Sequence, residues 1–149
     1  MGYGVFDGCT GLTSAVIGNS ITRIEGTFYG CSKLATVEIG NSITNIGGSA
    51  FSYCKSLTSI VIPKSVTSID KSAFTSCSGL TSVVWNAVRC PILNNNYENN
   101  PFYKIRTQIT SFEFGDSVKY IPMYLCYYMS NLTSITIPNS VTSIDRYAF

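Results

Sequence analysis

The chain of 149 residues contains no histidine. That absence removes Ser-His-Asp and Cys-His catalysis, zinc sites built on imidazole, and any histidine pH switch. Charge is scarce as well. Lys, Arg, Asp and Glu make up 12% of the residues, about half the usual globular share, and their net sum is only +2. With the two signs dispersed, there is no case for nucleic acid as a partner. No apolar run approaches the ~18 residues of a membrane span, so no membrane insertion is expected. There is no Cys-x-x-Cys pair, no P-loop and no Gly-x-Gly-x-x-Gly fingerprint, and no metal or nucleotide cofactor is expected. The first residues lack the basic segment and apolar stretch of a signal peptide.

What the chain does have is periodicity. LTSIVIPKSVTSIDKSAFTSC starts at Leu57, and LTSITIPNSVTSIDRYAF starts at Leu132. Aligning such blocks gives a leucine column at Leu12, Leu34, Leu57, Leu80, Ile109 and Leu132, with steps of 22, 23, 23, 29 and 23 residues. Self-similarity at this period is the mark of a solenoid, in which each unit packs on its neighbours. Three residues on lie Ala15, Val37, Ile60, Val83, Phe112 and Ile135; two further on lie Ile17, Ile39, Ile62, Trp85, Phe114 and Ile137. Residues two apart share one face of an extended segment. Gly or Pro follows in most units, then a second apolar pair such as Val66/Ile69. The coil closes on Phe6, Phe28, Phe51, Phe74, Phe102, Leu125 or Phe149.

One coil cannot cover these slots by itself, so neighbours must supply stacked strands and continuous ladders. The pattern predicts a mainly β, parallel solenoid of about 23-residue coils, with short strands and short helical or 3-10 turns at the Ala-Phe corner. It spans residues 1–149 as a single unit of about six coils, with an insertion-bearing coil at 80–108. Met1 falls where Ile144 falls in the last repeat, so both termini cut through a coil. This reads as an internal fragment or a truncated reading frame, and uncapped coils of that kind predict end-to-end self-association.

The unit Leu-x-x-Ile-x-Ile-Pro-x-x-Val-x-x-Ile-x-x-x-Ala-Phe-x-x-Cys resembles the BspA-like leucine-rich repeats of bacterial surface proteins, and the resemblance covers essentially the whole chain. It implies a leucine-rich-repeat solenoid within a long secreted or surface-anchored protein associated with adhesion to host proteins or other cells. It brings no catalytic residues with it.

Function is then sought where the pattern breaks. The coil from Leu80 to Ile109 is six residues longer than its neighbours, mostly within NAVRCPILNNNYENNP. Asn94, Asn95, Asn96, Asn99, Asn100 and Pro101 mark a turn-rich loop, read either as a tolerated surface insertion or as a binding loop. Six of the ten tyrosines fall within 97–128, interleaved with Met123 and Met129. Tyrosine and arginine are favoured at recognition surfaces. Tyr97, Tyr103, Lys104, Arg106, Tyr120 and Tyr127 are therefore the candidate ligand-binding residues, set against ordinary packing as the alternative. Tyr128 is expected in the slot that holds Cys elsewhere.

Cys9, Cys31, Cys54 and Cys77 form a periodic inward column, read as free thiols packing as small hydrophobes. Cys90 and Cys126 lie off that column, and a bond between them stays open. Glu38 and Glu113 are about three coils apart, too far for a paired-carboxylate glycosidase. The Asn131-Leu-Thr133 sequon is taken as coincidence. The leading functional expectation is a non-catalytic binding or adhesion module whose partner is a protein or glycan of the host extracellular matrix or another cell. A purely structural spacer is the first alternative. An enzyme is the second, disfavoured by the missing histidine and the lack of a convergent acid–base set.

Overall fold

A computed structural model describes residues 1–92 and 96–149. Asn94 and Asn95, read above as part of the loop, lie outside the described residues. In chain order the strands are β1 (Ser14–Ile17), β2 (Arg23–Ile24), β3 (Thr36–Ile39), β4 (Asn45–Ile46), β5 (Ser59–Ile62), β6 (Ser68–Ile69), β7 (Ser82–Trp85), β8 (Ser111–Phe114), β9 (Tyr120–Ile121) and β10 (Ser143–Ile144). The four-residue strands stack in parallel on one wall as β1-β3 and β5-β7-β8. The two-residue strands stack on a second wall as β2-β4-β6 and β9-β10. Pairing is in register, so Ile60 lies beside Val83 and Val83 beside Phe112. Each slot of the repeat thereby becomes a column through the interior.

Those columns are the core. Leu34, Leu57, Leu80 and Ile109 are fully buried, as are Ile24 and Ile46 on the second wall. At the corner, the rings of Phe6, Phe28, Phe51, Phe74 and Phe102 stack face to face, with successive centroids 5.3–5.5 Å apart and planes within 4–15°. Aromatic stacking adds about 0.5–1.5 kcal/mol per pair beyond burial. The cysteine column bonds the coils a second way: the thiols of Cys31, Cys54 and Cys77 donate to the carbonyls of Phe6, Phe28 and Phe51 one coil earlier, at 3.1, 3.2 and 3.0 Å.

All six cysteines are free, and Cys9, in the first coil, is exposed. Burial pushes the Cys77 and Cys90 thiols up to about 12, and raises Cys31, Cys54 and Cys126 as well. A thiol is reactive only as thiolate. Iodoacetamide at neutral pH is therefore expected to label one site, Cys9, in the folded protein and all six after denaturation, as read by mass. Unfolded thiols ionise near 9 while Cys77 and Cys90 stay protonated to about 12, so stability falls as pH rises through that window.

Most corners are tight turns rather than helices, and among the described residues 3-10 helix is confined to Tyr97–Asn99 and Tyr103–Gln108 in the long coil. Around Phe6, Phe28 and Phe51 the turn uses left-handed backbone two residues either side of the ring, and around Phe74 only Ser76, on the far side, is left-handed (φ 60°). Gly26 and Gly30 supply it around Phe28 (φ 56° and 70°), but around Phe51 it falls on Ser49 and Tyr53 (φ 56° and 63°). Glycine enters this region without the steric cost a side chain brings.

That signature also shifts the expected register by one residue in the coil after the insertion. Tyr124 and Tyr128 have φ of 62° and 55°, which centres the corner on Cys126. Ile121 pairs with Ile144, and the Cys126 N–H donates to the Ala148 carbonyl at 2.7 Å, as that of Phe28 does to Ala50 at 2.9 Å. Cys126, not Leu125, occupies the aromatic slot; Leu125 takes the alanine slot; Met129, not Tyr128, takes the cysteine slot. The larger Leu beside the smaller Cys roughly conserves the volume of Ala-Phe, and the ring stack ends at Phe102. Cys126→Phe alone is expected to overpack by about 1–3 kcal/mol. Combined with Leu125→Ala it should recover most of that loss, a coupling above about 1 kcal/mol in a urea double-mutant cycle. Additive losses would contradict the register.

Cys90 is likewise a slot-filler. Ala87 and Cys90, both buried, replace the pair Val66/Ile69 after a turn shortened by two residues. Cys90 and Cys126 thus belong to different columns. Residues 134–137, expected to form the next long strand, do not pair with β8; a cleft of about 410 Å³ lined by residues 110–114 and 134–136 lies between them. The bulk of Trp85, Phe112 and Phe114 in slots otherwise filled by Val, Ile or Ala thickens the core at this level.

Candidate ligand-binding surface

The long coil is folded by its asparagines. Asn96 caps the first 3-10 turn, its side chain accepting from the Glu98 N–H at 2.9 Å. Asn100 joins the two turns. Its side chain is 1% exposed in the residue as a whole, its Oδ1 accepts from the Phe102 N–H at 2.8 Å, and its Nδ2 donates to the carbonyls of Tyr124 and Leu125 in the next coil. A buried amide with these bonds made is a strong positional constraint. Gln108 works in the other direction, its Nε2 donating to the carbonyls of Cys77, at the end of the preceding coil, and Leu80, at the start of its own.

These fastenings bring tyrosines from three coils together. Tyr97 lies 5.4 Å from Tyr103, 6.2 Å from Tyr124 and 5.9 Å from Tyr127, centroid to centroid. Tyr127 meets Tyr128 at 4.3 Å, and the rings of Tyr124 and Tyr147 stack at 5.6 Å. Most of the remaining pairs are steeply tilted, between 46° and 78°. The neighbouring Tyr128 hydroxyl is the largest cause holding the Tyr127 phenol above its ordinary value. Tyr97, Tyr128 and Tyr147 are exposed. On the flank, Lys104 Nζ lies 5.3 Å and the Arg106 guanidinium 4.3 Å from the centre of the Tyr103 ring, a cation–π arrangement.

Of the six residues picked from the sequence, five meet here: Tyr97, Tyr103, Lys104, Arg106 and Tyr127. Tyr120 stands apart on β9, where its hydroxyl donates to Asp145 at 2.9 Å; burial first, and that bond second, raise its pKa. Tyr124, Tyr128 and Tyr147 were missed. The signal that could have found them is the corner motif Gly-x-Phe-x-Gly at 4–8 and 26–30, whose outer positions they occupy later in the chain.

The remaining surface offers polar grooves. One of about 370 Å³ runs past Arg23, Glu25, Asp70 and Lys71; another of about 490 Å³ lies between Glu38, Lys64, Asn86 and Asp116. Among the described residues no three His, Cys, Asp or Glu side chains are grouped to hold a metal ion, and no helix is long and apolar enough to cross a membrane.

Stacked parallel strands and in-register side-chain columns define a leucine-rich-repeat solenoid. The chain belongs to the BspA type leucine rich repeat region family, whose pattern matches residues 1–96 and 95–149 in six copies. A T. pallidum leucine rich repeat protein of known crystal structure is 26% identical, with TM-score 0.66, over 95% of this chain and 64% of its own. A leucine-rich repeat protein from Bacteroides ovatus is 23% identical, with TM-score 0.52, over 95% of this chain and 47% of its own. A leucine rich cell surface protein from Faecalibacterium prausnitzii is 21% identical over 97% of this chain and 52% of its own; its TM-score of 0.42 adds nothing to the fold argument. The chain therefore spans less than two thirds of the length of these proteins. No curated protein matches it significantly.

Proposed function

We propose that this solenoid is a non-catalytic binding module of a secreted or cell-surface protein, and that it recognises a macromolecular partner through the tyrosine corner. Membership of the BspA-type family supports the surface setting. The observation that carries the binding reading is the ring network itself: tyrosines of three successive coils, three of them exposed, converge where the repeat is irregular. A coil that served only as a spacer would need no such convergence, because the leucine column and, beyond Phe102, the buried Leu125 and Cys126 already supply the interior contacts. Buried Tyr and Arg anchors carry a disproportionate share of binding energy at interfaces.

The test is a screen of the folded chain against immobilised extracellular-matrix proteins and glycans. A saturable hit is expected to weaken at least ~10-fold for Tyr97→Ala with Tyr127→Ala, on the scale of one to two interface anchors. Affinity untouched by that pair would place the binding site away from the tyrosine corner, and no saturable hit at all would favour the spacer reading.

A further inference from the structure

The charges around the tyrosines narrow the partner. Among the described residues the one ion pair is Arg23–Glu25 at 2.7 Å, so Lys104 and Arg106 have no carboxylate of their own. Arg106 is nevertheless held in place: one terminal nitrogen donates to the Tyr103 carbonyl, its guanidinium lies on the Tyr103 ring, and its Nε is buried without a partner. Lys104 stands exposed on the same ring, and Arg146 is exposed beside Tyr147 in the chain. The one carboxylate carried by the inserted segment is Glu98, also exposed.

The shape narrows it further. Neither polar groove touches Tyr97, Tyr103, Tyr124, Tyr127 or Tyr147. Small ligands favour concave sites, whereas flat patches of Tyr and Arg are typical of protein interfaces. A stacking platform for sugars needs open ring faces; here Tyr97, Tyr103, Tyr124 and Tyr127 pack against one another at steep tilts.

From these observations, and resting on the binding role given above, we propose that the surface formed by Tyr97, Tyr103, Lys104, Arg106 and Tyr127 docks an acidic polypeptide segment. Carboxylates of the segment pair with Lys104 and Arg106, and its backbone and side chains hydrogen-bond the tyrosine hydroxyls. Covering cations that already sit on an aromatic ring strengthens their attraction to the incoming carboxylates, because water no longer screens it.

Fluorescence anisotropy with three labelled probes tests this: a short peptide rich in glutamate and tyrosine, its glutamine-for-glutamate counterpart, and an oligogalacturonate. The glutamate peptide should bind at least ~10-fold more tightly than the other two and weaken with salt. Lys104→Glu, a fully surface change, should cost it ~10-fold, and Glu98→Gln should tighten it ~2-fold. Equal binding of the glutamine peptide, preference for the oligogalacturonate, or indifference to Lys104→Glu would overturn the proposal. If the Tyr97/Tyr127 double variant still abolishes a hit from the protein and glycan screen while the glutamate peptide shows no preference, the acidic class falls and the binding surface stands. If that variant leaves every interaction intact, both fall.

Discussion

Replacing Phe51 with alanine is expected to cost about 4 kcal/mol, within the range for emptying a buried phenylalanine site. The ring is fully buried and stacked on both sides, against Phe28 and Phe74, each at 5.5 Å. The loss combines apolar burial, the cavity left behind and two stacking contacts. A solenoid adds a further consequence. Its coils couple only to their neighbours, so a hole in the middle weakens the link between the first coils and the last. Trp85, the one tryptophan, sits on β7 beyond the hole and reports that later half. Urea transitions followed by Trp85 fluorescence and by far-UV circular dichroism should coincide in the native sequence and separate in Phe51→Ala. Phe6→Ala, at a ring stacked on one side and 36% exposed, should cost about 1 kcal/mol and leave the transitions together. Equal losses at the two positions would contradict the stack as the axis of stability.

Asn100→Ala is expected to cost about 3 kcal/mol. Two carbonyls and one N–H lose their partners at a site closed to water, and each such buried group costs about 1–3 kcal/mol, partly relieved as the backbone readjusts. Asn100→Asp has nearly the same shape and keeps the bond from the Phe102 N–H, yet it should be no better tolerated. It would turn a buried carboxylate toward the carbonyls of Tyr124 and Leu125. Both substitutions release Tyr124, whose left-handed backbone is held from this side, and with it the ring pairing to Tyr97. Loss of the near-ultraviolet tyrosine signal should therefore accompany the loss of stability. A variant that melts normally with an unchanged tyrosine spectrum would show that Asn100 does not fasten the long coil.

The columns were legible in the sequence because parallel, in-register stacking turns each recurring slot into a continuous ladder. Leu57, Ile60, Ile62 and Phe74 could be placed from spacing alone, and so could the thiol column. Register at Cys126 was not legible that way. Leu125 looks like the better substitute for phenylalanine, and only the backbone conformation at Tyr124 and Tyr128 shows that the turn centres one residue later. The same blind spot hid Tyr124, Tyr128 and Tyr147 from the surface: hydrophobicity counts residues but does not say which positions a left-handed turn points outward. Tyr120 is parted from the cluster for the opposite reason. It is close to the others in sequence, but the coil carries it to the second wall, where Asp145 takes its hydroxyl. The asparagines read as loop formers because Asn favours turns; that Asn100 is buried and donates across coils follows from where the turn sits, which composition does not encode.

The claim at the centre of this account is that recognition occurs at the tyrosine corner rather than on the long-strand wall, where Val16 and Val61 are also exposed. Hydrogen exchange with a saturating protein partner from the matrix screen addresses it most directly. The account predicts added protection at residues 97–106, 124–128 and 146–148, with exchange in β1, β5 and β7 unchanged. Protection confined to those strands, with the corner unaffected, would contradict it.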